Sequence, residues 1–146
     1  MSRLTLEMRT QRGISLIEVL ITVLVLSIGL LGMAGLQLMS LRNSQSAMER
    51  SVGVVQSYTI IEAIRADADS AKSGRFNIAL DDTSSGSTFP ALAITKWREQ
   101  LVQNLGESAT GAVNCNSTSC VVTVQWNDER GSGGSDTQQM ITEVRL

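Results

Sequence analysis

From Val19 to Leu41 the chain carries no charged residue. As a helix, that stretch of 23 residues is long enough to cross a bilayer core of about 30 Å. Everything else must be arranged around it. A short basic segment precedes it and a polar region follows. With Arg9 and Arg12 on its N-terminal side, the positive-inside rule keeps that end in the cytoplasm and exports the rest.

The junction in front of the apolar stretch reads Arg12-Gly13-Ile14-Ser15-Leu16-Ile17-Glu18. A carboxylate at the edge of a membrane segment is costly and asks for a partner or a purpose. Three readings compete. A secretory signal peptide has an apolar core of about 7–15 residues and a small-residue cleavage site. Gly32-Met33-Ala34 fits such a site weakly, but the apolar stretch is too long and Glu18 would interrupt it. A plain single-pass anchor explains the length and leaves Gly13 and Glu18 as accidents. Ser15-x-x-Glu18 is also a capping-box pattern, and a helix N-terminus favours a first-turn carboxylate.

The third reading is a resemblance. Gly13-Ile14-Ser15-Leu16-Ile17-Glu18-Val19-Leu20 resembles the class III leader junction of type IV pilins and pseudopilins. The resemblance implies that residues 1–13 are a leader, removed by a membrane-embedded prepilin peptidase after Gly13. It implies N-methylation of the new terminus, Ile14, where the family usually has phenylalanine. It also implies that Glu18 neutralises the terminal amine of a neighbouring subunit during assembly. An amine and a carboxylate in a water-excluding filament core are each costly alone and tolerable as a pair.

Ser27-Ile28-Gly29-Leu30-Leu31-Gly32-Met33-Ala34-Gly35-Leu36-Gln37 resembles the corresponding stretch of PilV-type minor pilins. Glycine lowers helix propensity by roughly 1 kcal/mol in water. Gly29, Gly32 and Gly35 could therefore let the helix stretch, or could serve close packing in a membrane. The resemblance implies assembly partners: other minor and major pilins, and the pilus machinery of the inner membrane.

The apolar signal continues past the membrane stretch. Met48, Val52, Val55 and Thr59 recur at helical spacing, with Tyr58, Ile61 and Arg65 on a neighbouring stripe. These predict one helix from about Ile14 to Ala68, spanning roughly 80 Å. Ser70–Thr88 reads as a loop. Asp81 and Asp82 within it lack a calcium-loop pattern and read as solvated turn residues. Pro90–Leu105 reads as a second helix, with proline at its start and Gly106 past its end. Its stripe is Ile94, Trp97, Leu101 and Leu105, with Trp97 in the core.

The remainder reads as strands: Gly111–Cys115 and Cys120–Asn127 as a hairpin, a flexible Gly131–Ser135 loop, and Gln138–Leu146 as a last strand. In that strand Met140, Val144 and Leu146 share a face. Cys115 and Cys120, close together in an exported domain, predict a disulfide across the hairpin turn. The fold class expected is α+β: a long N-terminal helix, half transmembrane and half amphipathic, on a small antiparallel sheet. The domain boundaries expected are 1–13, 14–41 and 42–146.

Composition excludes several functions. The net charge is −2, and −4 without the leader, which removes Arg3, Arg9 and Arg12 but only Glu7. Nucleic-acid binding asks for a basic patch instead. There is no histidine, and no phosphate loop or metal cluster is present, which argues against an enzyme or a cofactor. The reading is a minor pilin that promotes type IV pilus assembly, with twitching motility as its cellular readout. It would sit in the inner membrane with a periplasmic head and then enter the filament. The alternatives are a type II secretion pseudopilin or an unprocessed anchor.

Overall fold

The computed structural model describes residues 13–131 and 133–146. The leader residues Arg3, Glu7, Arg9 and Arg12, and Ser132 of the predicted glycine-rich loop, lie outside the described residues. The element order is α1 (Leu16–Ala66), α2 (Ala68–Lys72), α3 (Phe89–Leu105), β1 (Thr110–Cys115), β2 (Ser119–Trp126) and β3 (Gln138–Arg145). This is an α+β fold, with a long apolar-to-amphipathic helix and a small antiparallel sheet. The chain divides into two units between Leu38 and Met39.

In the first unit α1 packs against nothing among the described residues. Every large apolar side chain from Ile14 to Leu36 in this stretch is exposed. Such a helix is unstable in water and at home in lipid or against other helices. Its hydroxyls suit that setting: Thr22 donates to the Val19 carbonyl (2.8 Å) and Ser27 to that of Val23 (2.7 Å).

The second unit is a three-stranded sheet, ordered β1-β2-β3, with helices on one face. Both pairings are antiparallel; Cys115 stands opposite Cys120, and Trp126 opposite Gln138. Along β2 the side chains alternate: Cys120, Val122, Val124 and Trp126 are buried, and their neighbours half-buried. The buried row meets Ile60, Ile61 and Ile64 of α1 and Ile94, Trp97 and Leu101 of α3 in one core. Met140, Val144 and Leu146 pack on its margin.

α3 follows the sequence closely. Pro90 lies in its first turn, where a missing N–H costs nothing. Gly106 caps its end at φ 101°, donating to the Val102 carbonyl at 3.1 Å. All four residues of the predicted stripe are buried.

The face that α1 turns to the sheet is only partly the one expected: Ile61 is buried and Val52 packs on the core, but the rest of the two stripes does not. Ser46, Gly53, Gln56, Ser57, Ile60, Ile61 and Ile64 are buried, whereas Met48, Val55, Tyr58 and Thr59 are exposed. Two tryptophans explain this. Trp126 packs over Gly53, where an added Cβ would just touch its ring at 3.4 Å. Trp97 donates its indole N–H to the Gln56 carbonyl at 2.8 Å.

α1 ends at Ala66, two residues earlier than predicted. Asp67 then caps the short α2, accepting from the Ser70 N–H at 3.2 Å. The segment expected as plain loop also supplies an edge. Ile78 exchanges backbone hydrogen bonds with Val113 (2.9 and 3.0 Å), and Asn77 clamps both backbone groups of Cys115 (2.6 and 3.2 Å). The β1 edge is thereby covered, which prevents pairing with foreign strands. Asp82 closes a turn, accepting from the Ala79 N–H at 3.1 Å. The Gly131–Ser135 loop, expected to be flexible, is held by hydrogen bonds: Asp128 N–H to the Ser135 carbonyl (2.8 Å) and Gly131 N–H to that of Asp128 (3.0 Å).

Candidate functional site: the N-terminal junction

Gly13, Ile14 and Ser15 stand in front of α1 and are exposed, Ile14 at 76%. A Cβ on Gly13 would meet nothing within 4 Å. Nothing among the described residues demands glycine there. The Ser15 carbonyl starts the helix, accepting from the N–H groups of Glu18 (3.0 Å) and Val19 (3.3 Å). The capping-box exchange open to Ser15 and Glu18 is not made among the described residues. Glu18 therefore lies in the first turn with its carboxylate exposed, favoured by the helix N-terminus alone.

Gly29, Gly32 and Gly35 are equally unconstrained among the described residues. No atom lies within 4 Å of a Cβ built on any of them. Each one lowers helix propensity with no packing gain inside this chain. α1 is long and apolar enough to cross a membrane, and its most apolar window is fully unburied.

The arrangement offers an exposed peptide bond between Gly13 and Ile14. A helix-borne carboxylate follows it, and then an uncharged membrane-length surface. Such an arrangement can offer a peptide bond to a peptidase and an apolar surface to other helices. No group of three metal-binding side chains occurs among the described residues. One concave surface of the head is lined by Asp82, Thr83, Thr95, Arg98, Glu99 and Val102. Its arginine is already occupied. Arg98 donates to the Gly111 carbonyl (2.9 Å from Nε) and to those of Ala79 and Asp82. Burial lowers its pKa, against the opposing pull of Asp82 and then Asp81.

Cys115 and Cys120 are joined by a disulfide across the hairpin turn. They lie in the head unit, whereas Gly13, Ile14 and Glu18 lie in the other. No sequence pattern marks Asp128, a carboxylate only 1% exposed. It follows β2 and binds Ser46 of α1, and only the folded chain brings the two together.

The model of the prokaryotic N-terminal methylation motif matches residues 8–34. The match takes in Gly13, Ile14, Glu18, Gly29 and Gly32. No curated protein and no solved structure matches the chain. A methylation motif on an apolar N-terminal helix fits a membrane-anchored, pilin-like structural protein, and it supports the type IV pilin and pseudopilin family. The motif implies processing by a prepilin peptidase and membrane-associated pilus machinery.

Proposed function

We propose that this protein is a minor pilin, a low-abundance subunit that promotes assembly or initiation of type IV pili. In this reading residues 1–13 are the leader, 14–41 the filament-core helix and 42–146 the head. The peptidase cuts between Gly13 and Ile14, and Ile14 receives the methyl group. The chain waits in the inner membrane, N-terminus inward and head in the periplasm, before it enters the filament.

The observation that supports this most is the exposed Gly13–Ile14 bond followed by Glu18 on the first turn of an unburied apolar helix, inside the methylation motif. Within a filament core the Glu18 carboxylate needs a cationic partner, and the freed amine of Ile14 on a neighbouring subunit supplies one. The pair then acts as a register device, because a misplaced subunit leaves both charges unpaired. The PilV-like character of Ser27–Gln37 favours a pilus over a secretion pseudopilus. Deleting the gene tests this choice. Loss of twitching motility with secretion intact is expected; loss of type II secretion with normal twitching would assign the protein to a pseudopilus.

A further inference from the structure

α1 is held to the sheet in two unlike ways. Near its C-terminal end Ile60, Ile61 and Ile64 are buried in the common core. Earlier in the helix the buried positions are Ser46, Gly53, Gln56 and Ser57, none of which carries a large apolar side chain. Val52 and Met140 reach only the margin of the core.

Two residues hold this earlier part. Trp126 closes β2 and packs over Gly53. Asp128 follows two residues later and accepts the Ser46 hydroxyl at 2.7 Å. Arg50 adds a half-exposed approach to the same carboxylate at 3.5 Å.

The polar atoms at this contact are incompletely paired. The indole N–H of Trp126 and Oε1 of Gln56 are buried, and neither has a hydrogen-bond partner among the described residues. A helical side chain leans over the turn before its own. Gln56 therefore leans toward the turn of Gly53, where Trp126 packs. A buried group without a partner has lost its hydration for nothing, and contact with water restores it. Trp97 is the contrast. Its indole is equally buried, but it donates to the Gln56 carbonyl at 2.8 Å and packs on Gly111.

Separation at the Trp126 end thus gives up one side-chain hydrogen bond and one ring contact, and rehydrates two unpaired groups. Separation at Ile60–Ile64 exposes apolar surface and rehydrates nothing. Proteins open first where buried apolar contact is sparse.

We propose that the end of β2, from Trp126 to Asp128, is a latch on α1 that opens by itself. Trp126 lifts from Gly53 and Asp128 from Ser46, while Ile60, Ile61, Ile64, Trp97 and Leu101 stay packed. Opening wets the Trp126 indole and uncovers Gly53 and Gln56. Ser46 is the first buried residue along α1. A load that travels down the helix from its N-terminal side therefore reaches the latch before the core. The latch rests on contacts within the head and stands apart from the pilin reading.

Hydrogen exchange of the two indole N–H groups tests this, followed by NMR on the full-length chain in detergent micelles. Both rings are 1% exposed, so each exchanges only when its surroundings open. Trp126 is expected to exchange at least about tenfold faster than Trp97. Its rate should hardly respond to low urea, whereas that of Trp97 should climb, because urea dependence scales with the surface exposed. Ile64→Val, in the part that stays packed, should speed Trp97 several-fold and leave Trp126 unchanged. Ser46→Ala, which removes the latch bond, should speed Trp126 by about tenfold or more.

Equal rates for the two indoles, with the same urea dependence, would mean that the head opens only as a whole and would overturn the latch. A Trp126 rate that Ile64→Val raises as much as that of Trp97, or that Ser46→Ala leaves unchanged, would overturn it too.

Discussion

The hydroxyl of Ser46 donates a 2.7 Å hydrogen bond to the carboxylate of Asp128, a side chain 82 residues away and almost wholly buried. Arg50 approaches the same oxygen at 3.5 Å from a half-exposed position. The turn after β2 is thus fastened to α1. Gly131 makes the fit possible, because a Cβ there would lie 2.9 Å from both Ser46 and Asp128.

Ser46→Ala is therefore expected to destabilise the head by about 2 kcal/mol, as loss of a buried hydrogen bond to a charged group does. Asp128→Ala should cost a similar amount. The double variant should cost clearly less than the two single losses together. Denaturant unfolding of the three variants checks this. Additive losses would mean that the two residues do not act as a pair.

The Trp97 ring packs directly against Gly111. A Cβ on that glycine would fall 2.2 Å from the indole, far inside contact distance. Gly111→Ala should destabilise by about 2–3 kcal/mol through overpacking. Thermal unfolding followed by tryptophan fluorescence would show a lower midpoint and an altered indole signal. A variant as stable as the parent would mean that Trp97 has another place to go.

The disulfide closes a loop with a sequence separation of only five. Chain entropy assigns a bridge this short about 2 kcal/mol. Replacing Cys115 and Cys120 by serine should lower head stability by that amount or less, with N-terminal processing unchanged. Loss of processing in that variant would contradict the separation of the cysteines from the N-terminal site.

Glu18→Ala should leave membrane insertion and cleavage intact and keep the subunit out of purified filaments. Immunoblots of membrane and sheared-filament fractions measure this. Mutant subunits in filaments at parental levels would remove the register argument.

Some parts of this molecule were legible in the sequence because their cause is local. The α3 stripe of Ile94, Trp97, Leu101 and Leu105 needs only a helical period, a proline and a glycine. The hairpin needs only the alternation along β2 and the two cysteines. The N-terminal junction is contiguous and lies within the span matched by the methylation motif. The core-facing side of α1 was not legible. Gly53, Gln56 and Ser57 look like a surface, and they are buried because Trp126 and Trp97 occupy the space above them. The predicted stripes caught Val52 and Ile61, which pack on the core, but also took in Met48, Val55 and Tyr58, which point outward. Asp128 and Asn77 were missed for the same reason. Each is polar and unremarkable in sequence, and each gains its role from a partner brought near by folding.

The most direct test of the central claim is the N-terminal mass of the protein isolated from membranes and from sheared filaments. The account predicts a chain that begins at Ile14, heavier by one methyl group, in both fractions. A chain that retains Met1–Gly13 and occurs only in membranes would contradict it, and would leave a single-pass anchor with an exported head.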